Sequence, residues 1–316
     1  MKIAVLFPGQ GSQFLGMGKE FIDGDAESGA LMAMAEAACA APLAKLCVDG
    51  PMEELTRAAV LQPAITIVNL ICWRQLLRNL CDDLVVSCVA GHSLGEYAAL
   101  CAAEVVSVED TIRLVAQRGS LMEREGKKNP GGMRAVLGLD INTLESLLAQ
   151  YRGEGIAVVA NHNTPEQIVL SGTFSGLDGV CRLIEAQGGK VIPLNVSVAN
   201  HSPLVGEAIP DFSAFMANIT FNVPTIPVYC NVSANSESDP LRIKELMASQ
   251  IGARVRWCEI IQTMLSQGID TFIEVGPKNV LKGMIKKIAA KGSGFSALQF
   301  DSPSSLESCL KQLRDS

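Results

Sequence analysis

The chain has 316 residues, 48% of them hydrophobic and 19% charged, with a formal net charge of −7. The length suits one large or two small domains with a substantial core, and the apolar share excludes disorder as a description of the whole. The acidic balance argues against a protein that reads nucleic-acid phosphates with a basic face.

Ten cysteines invite a disulfide or zinc reading, which their spacing does not support. The closest pair is Cys81 and Cys88, no C-x-x-C occurs, and the three histidines are scattered. The cysteines read as free thiols of a reducing cytosol, and no metal site is expected.

In chain order, residues 2–7 (KIAVLF) are apolar throughout and read as a buried strand. The run breaks at Pro8-Gly9, too early for a secretory signal, so the chain is expected in the cytoplasm. Helical periodicity covers 28–39 and 62–80. The most apolar stretch, 65–72, is interrupted by Asn69, so no run is expected to reach the length of a membrane span. Residues 84–90 (LVVSCVA) form a second buried strand, followed by helices at 96–103 and 108–125. Residues 127–132 (KKNPGG) read as a linker. Then come a strand at 133–137, a helix at 141–151, strands at 156–161 and 167–171, a helix at 174–187 and a strand at 190–193. This β-α-β-β-α-β order is ferredoxin-like. It predicts a small domain, 130–197, inserted into a discontinuous large α/β domain, 1–129 and 198–316. The pattern resumes with a helix at 203–217, a strand at 227–231, helices at 239–250 and 257–267, and a strand at 271–274. A helix at 280–290, a short strand near 295–298 and a helix at 304–313 complete it.

Gly91-His92-Ser93-Leu94-Gly95 is G-x-S-x-G between a buried strand and a helix. A serine on such a sharp turn projects its hydroxyl at the helix N-terminus, as a nucleophile would. The backbone N–H of Leu94 then faces whatever binds Ser93 and can serve as an oxyanion donor. The plainer reading is a glycine-rich turn with an N-capping serine. A nucleophilic serine needs a base. His92 is the chain neighbour of Ser93 and should leave the turn in another direction, and His162 sits in a polar stretch, Asn161 to Pro165, read as a turn. His201 lies where the chain returns to the large domain and is the better base. A carboxylate or a backbone carbonyl could orient its ring, and the sequence leaves both open.

The loop Pro8-Gly9-Gln10-Gly11-Ser12-Gln13 is not a nucleotide fingerprint. Phe14 stands where the third glycine of G-x-G-x-x-G belongs, and Met17 where a phosphate loop has lysine. Beside the nucleophile strand, Gln10 could lend a second backbone N–H to an oxyanion.

Several blocks occur together in order: the Phe7 to Gln13 loop, Gln62-Pro63-Ala64, Gly91 to Tyr97, Gln117-Arg118-Gly119, Ser197 to Pro203, and Glu274-Val275-Gly276-Pro277. The chain thereby resembles the malonyl-CoA:acyl carrier protein transacylase family of fatty-acid and polyketide synthesis. The resemblance implies an α/β-hydrolase-like large domain with a ferredoxin-like insert, and a ping-pong reaction through an acyl-serine. Ser93 would be the nucleophile, His201 the base with its ring held by the Gln250 carbonyl, and Gln10 and Leu94 the oxyanion donors. Arg118 would clasp the free carboxylate of a malonyl group, for which its planar fork is suited. Gln62 and Asn200 would line the acyl pocket, and Lys190, Lys286 and Lys287 would meet an acidic acyl carrier protein. Coenzyme A enters as a substrate thioester; no cofactor, membrane or nucleic-acid partner is implied, and a monomer is expected.

The chain departs from the family pattern in two places. Asn200 stands where many malonyl-selective members carry Phe or Ser, which suggests an unusual polar extender such as hydroxymalonyl or aminomalonyl, taken from a carrier protein. Ala253-Arg254 replaces a frequent Asn-Pro near the Gln250 turn. Two rivals are an acyl hydrolase, disfavoured by Arg118, and a non-catalytic docking module, disfavoured by the Ser93–His201 pair.

Overall fold

A computed structural model of the chain describes all residues except Asp82, Ser197, Lys291, Ser293 and Ser316. Ser197, which ends the expected insert and opens the 197–203 block, therefore lies outside the described residues. The chain begins β1 (Ile3–Phe7), α1 (Lys19–Gly24), α2 (Ala26–Cys39), α3 (Leu43–Asp49), α4 (Met52–Leu55), α5 (Ala58–Asn79), β2 (Val86–Gly91), α6 (Gly95–Ala102) and α7 (Val108–Lys128). It continues β3 (Gly132–Leu137), α8 (Ile141–Gln150), β4 (Ala157–Thr164), β5 (Gln167–Gly172), α9 (Phe174–Ala186) and β6 (Lys190–Pro193). It ends α10 (Ala208–Met216), β7 (Val228–Tyr229), β8 (Ser236–Glu237), α11 (Pro240–Ser249), α12 (Trp257–Ser266), β9 (Thr271–Val275), α13 (Val280–Ile288), β10 (Ser296–Phe300) and α14 (Pro303–Arg314).

The larger sheet has the order β10-β9-β1-β2-β7-β8 and is parallel apart from the β7–β8 hairpin. The wholly apolar β1 lies inside it because both of its faces are covered. Ile3, Val5 and Phe7 pack into the larger core with α2, α5, α6 and α7. Ala4 and Leu6, on the other face, pack into a second core with α12 and α13. The strand's period of two thus places alternate residues in two helix layers. Helix α5 is long and apolar enough to cross a membrane, against the sequence expectation, because Asn69 does not interrupt it. It is a core helix instead: 89% of its most apolar window is buried in the protein. Asn69 is accommodated by donating to Pro8 O at 2.9 Å.

The second sheet is antiparallel, in the order β4-β5-β3-β6. One face is covered by α8 and α9 through Leu144, Leu147, Leu177, Val180 and Ile184. The other face presents Met133, Ala160 and Val169, with Leu194 and Val196 packed against them. It is tied to the larger body where His162 N donates to Val255 O at 2.9 Å and Val255 N to Ala160 O at 2.8 Å.

Some boundaries differ from the sequence reading. Helix α7 runs through Lys128, so the first part of the supposed linker is helical. The helix expected at 203–217 is split: Ser202 caps a 3-10 turn, Pro203–Val205, and α10 follows. The strand expected at 227–231 shortens to β7, which turns back as β8.

Candidate active site

Strand β2 leads straight into α6, and Ser93 occupies the turn between them with φ +50°. Such a backbone is strained for a non-glycine residue and needs surrounding structure to hold it. The flanking glycines make the turn possible. A Cβ on Gly95 would lie 2.0 Å from Phe7 O, and one on Gly9 would lie 2.4 Å from His92 O. The β1 loop carrying Gln10 therefore packs directly on the turn. Gln10, Ser93 and Leu94 all border one cavity of about 210 Å³, which lies between the two sheets and is also lined by Arg118, Asn200 and His201.

His201 sits after β6 on a left-handed backbone, φ +57°, with its N–H donating to Ile251 O at 3.1 Å. Its Nε2 is 2.7 Å from Ser93 Oγ. Its Nδ1 is 3.0 Å from Gln250 O and 2.9 Å from Ala253 O. Carbonyl oxygens only accept, so Nδ1 carries the proton and Nε2 presents its lone pair to the Ser93 hydroxyl. Burial, reinforced by the nearby Arg118 charge, pushes the imidazole down to about 3. The ring is therefore neutral at physiological pH and able to take a proton. The backbone carbonyl, left open beside a carboxylate by the sequence, is what orients it, and Ala253 adds a second. The unusual Ala253-Arg254 pair leaves this turn intact.

Arg118, on α7, is 1% exposed. Its Nη1 donates to Gln62 Oε1 at 2.9 Å and its Nη2 to Gln250 Oε1 at 3.1 Å. Nη2 also lies 3.4 Å from Ser93 Oγ. The guanidinium stands 5.6 Å from the centre of the Tyr97 ring. Among the described residues no carboxylate lies within ion-pair distance of it. Burial lowers its pKa, but an arginine stays charged. A buried cation without a direct counter-ion beside a nucleophile is a site for an anionic ligand group.

Two further residues hold this arrangement, and the sequence does not announce their roles. Asn231, just after β7, accepts from Ser93 N at 2.7 Å and donates to Gly91 O at 2.7 Å. Glu96, fully buried on α6, accepts from Asn231 N at 3.1 Å and from Gln250 Nε2 at 2.7 Å. Burial pushes the Glu96 carboxyl up to about 7, against these donors, which favour the anion.

A family described as the acyl transferase domain matches residues 5–298. The chain belongs to the acyl transferase family. It is 34% identical over 316 residues to a malonyl CoA-acyl carrier protein transacylase of Bacillus subtilis, covering 99% of this chain and 98% of that one. The solved malonyl CoA-acyl carrier protein transacylase of Clostridium perfringens superposes with a TM-score of 0.93 at 32% identity, over 100% of this chain and 98% of that one. A malonyl-transacylase solved in complex with its type II PKS acyl-carrier protein gives 0.93 at 31% identity, over 99% and 100%. The mixed α/β fold read from the sequence is the fold of these acyl transferases.

The other expected site residues fall in different places. Asn200 borders the cavity and is 9% exposed, and its Oδ1 has no hydrogen-bond partner. Gln62 is not a cavity wall: it stands behind Arg118, with Nε2 on Met122 Sδ at 3.2 Å. His162 is not in a turn; β4 extends through it, and it is 6% exposed with Nδ1 3.2 Å from Glu259 Oε2. His92 faces away from Ser93 toward Asn163 Oδ1 at 2.8 Å and packs edge-on against Trp257. Lys286 and Lys287 are exposed on α13, which packs beside β4. Lys190 is exposed on β6, at the edge of the second sheet opposite β4.

Proposed function

We propose that this chain transfers a malonyl group from coenzyme A to the phosphopantetheine thiol of an acyl carrier protein, through an acyl-Ser93 intermediate. The observation that carries the reading is the meeting of Ser93, neutral His201 and Arg118, which no carboxylate pairs directly, at one cavity. His201 Nε2 takes the Ser93 proton as Oγ attacks the thioester carbonyl. The N–H groups of Leu94 and Gln10 receive the developing oxyanion; Ser93 N–H is already engaged by Asn231. The positive ring that forms is stabilised by the Gln250 and Ala253 carbonyls. Collapse breaks the C–S bond, and His201 returns the proton to the leaving thiolate. The carrier's thiol then gives its proton to His201 and attacks the ester, and Ser93 recovers its hydrogen. Arg118 pairs with the malonyl carboxylate throughout.

In this reading, residues 130–197 form the inserted small domain, whose apolar face of Met133 and Val169 closes the cavity. The carrier approaches the side bearing Lys286 and Lys287, with Lys190 at the edge of the small domain. The reaction runs in the cytoplasm, in keeping with ten free cysteines. No cofactor takes part.

The test is discharge of the malonylated protein. Holo-carrier protein should remove the acyl group far faster than buffer does, and equal rates would favour the hydrolase reading. A second reading, a polar malonyl derivative delivered by a carrier protein, is favoured by the unpartnered Asn200 Oδ1 at the cavity. Competition between malonyl and hydroxymalonyl or aminomalonyl donors decides it, and an unchanged preference in Asn200→Phe would remove Asn200 from the argument.

A further inference from the structure

Three groups at the site, the Ser93 turn, the His201 carbonyl clamp and the Arg118 guanidinium, are carried by separate elements, yet their supports meet at one buried residue. Gln250 offers its backbone oxygen to His201 and its side-chain oxygen to Arg118. Its Nε2 donates to Ser93 O at 2.9 Å and to Glu96 Oε2 at 2.7 Å. The other Glu96 oxygen accepts from Asn231 N, and the Asn231 side chain pins the Ser93 turn. We infer that Glu96 is a positioning residue: by accepting from the Gln250 amide it fixes which end of that amide faces Arg118, and so holds the guanidinium for an acyl chain that ends in a carboxylate. The inference rests on the malonyl reading above.

The direction of each bond supports it. Arg118 can only donate, so it requires the oxygen of the Gln250 amide. The amide nitrogen is then left facing Glu96 and Ser93 O, which both accept. A carboxylate is the one ionised side chain that accepts at both oxygens, and Glu96 faces N–H donors with both. At pH 8, above the value of about 7 to which burial pushes it, Glu96 is the anion these donors require. It also supplies a negative charge for buried Arg118 without occupying the guanidinium edge that a substrate needs. The amide between them relays the polarisation.

A glutamine at position 96 has the same shape but must present an NH2 at one end. Facing Asn231 N, that NH2 meets a backbone donor that cannot turn. Facing Gln250, it forces the amide over, and the Gln250 NH2 then opposes Arg118.

The experiment measures Ser93 acylation at pH 8 by intact mass, with malonyl-CoA and acetyl-CoA, in wild type, Glu96→Gln, Gln250→Ala and the double variant. Gln250→Ala keeps the backbone carbonyl on His201. Wild type that takes no malonyl group would overturn the functional reading itself. With malonylation present in wild type, Glu96→Gln should lower the malonyl-to-acetyl rate ratio about tenfold or more, on the scale of one misplaced charge-assisted bond. Glu96→Asp, which restores an acceptor-only group, should recover most of the ratio. The double variant should resemble Gln250→Ala alone, since Glu96 acts through that amide. A Glu96→Gln variant that slows both donors equally, or effects that multiply in the double variant, would show a merely structural role. Should Glu96→Gln fail to fold, an unchanged ratio in Gln250→Ala would overturn the inference, and a collapsed ratio would support it.

Discussion

Replacing Arg118 by alanine separates binding of the acyl chain's far end from the chemistry at its near end. The guanidinium is 1% exposed and its Nη2 is 3.4 Å from Ser93 Oγ, close enough to reach a carboxylate only a few bonds from the attacked carbonyl. One charge-assisted hydrogen bond contributes about 1.5–3 kcal/mol, and an arginine–carboxylate fork makes two. Losing it should slow malonylation of Ser93 by about 10- to 100-fold at the least. Acetylation should hold or rise, because an acetyl methyl leaves buried Arg118 facing an apolar group. The substitution also strands Gln62 Oε1 and Gln250 Oε1, so the melting temperature is read alongside. Arg118→Lys keeps the charge and loses the fork, and should fall between. The assay is rapid quench followed by intact mass with each donor. An equal loss for malonyl and acetyl would mean that Arg118 holds the site together and does not sort acyl groups.

Other outcomes follow from the same geometry. Since His201 is lowered from 6.5 to about 3, its imidazole NMR signals should remain those of the neutral ring from pH 8 to about 5 and titrate only nearer 3. Signals that titrate near 6.5 would show an exposed or charged ring. Asn231→Ala removes the two side-chain bonds by which Asn231 holds the Ser93 turn and should slow malonyl and acetyl transfer alike, about tenfold; a selective loss of malonyl transfer would contradict that role. Gly95→Ala would set a methyl 2.0 Å from the Phe7 carbonyl, with backbone on both sides, and should cost about 3 kcal/mol or more of stability. An unchanged denaturant midpoint would refute the packing argument.

The long elements were legible because burial leaves a pattern. Strands β1 and β2 are short apolar runs bounded by turn residues, and the order of elements from β3 to β6 announces its sheet. Helices α1, α3 and α4 were not expected, since four to seven residues are too few to display a helical period. The polar run Asn161 to Thr164, which holds His162, resembles a turn in sequence; in the fold it is the buried end of β4, docked on the segment at Val255. At the site, Ser93 was readable from its strand-to-helix setting and His201 from having two rivals. The roles of Gln250's side chain, Asn231, Glu96 (though it lies in the Gly91 to Tyr97 block) and the Ala253 carbonyl were not, because each acts by the direction of a hydrogen bond made across 130 or more residues or by a backbone atom that any residue could supply. The place of Gln62 behind Arg118 depends on how α5 packs against α7, which neither helix encodes alone.

The most direct measurement is peptide mapping of the protein after brief exposure to malonyl-CoA. The account predicts a single malonyl ester, located on Ser93, absent from Ser93→Ala and formed far more slowly in His201→Ala. An adduct on another residue, or one that survives in Ser93→Ala, would contradict it.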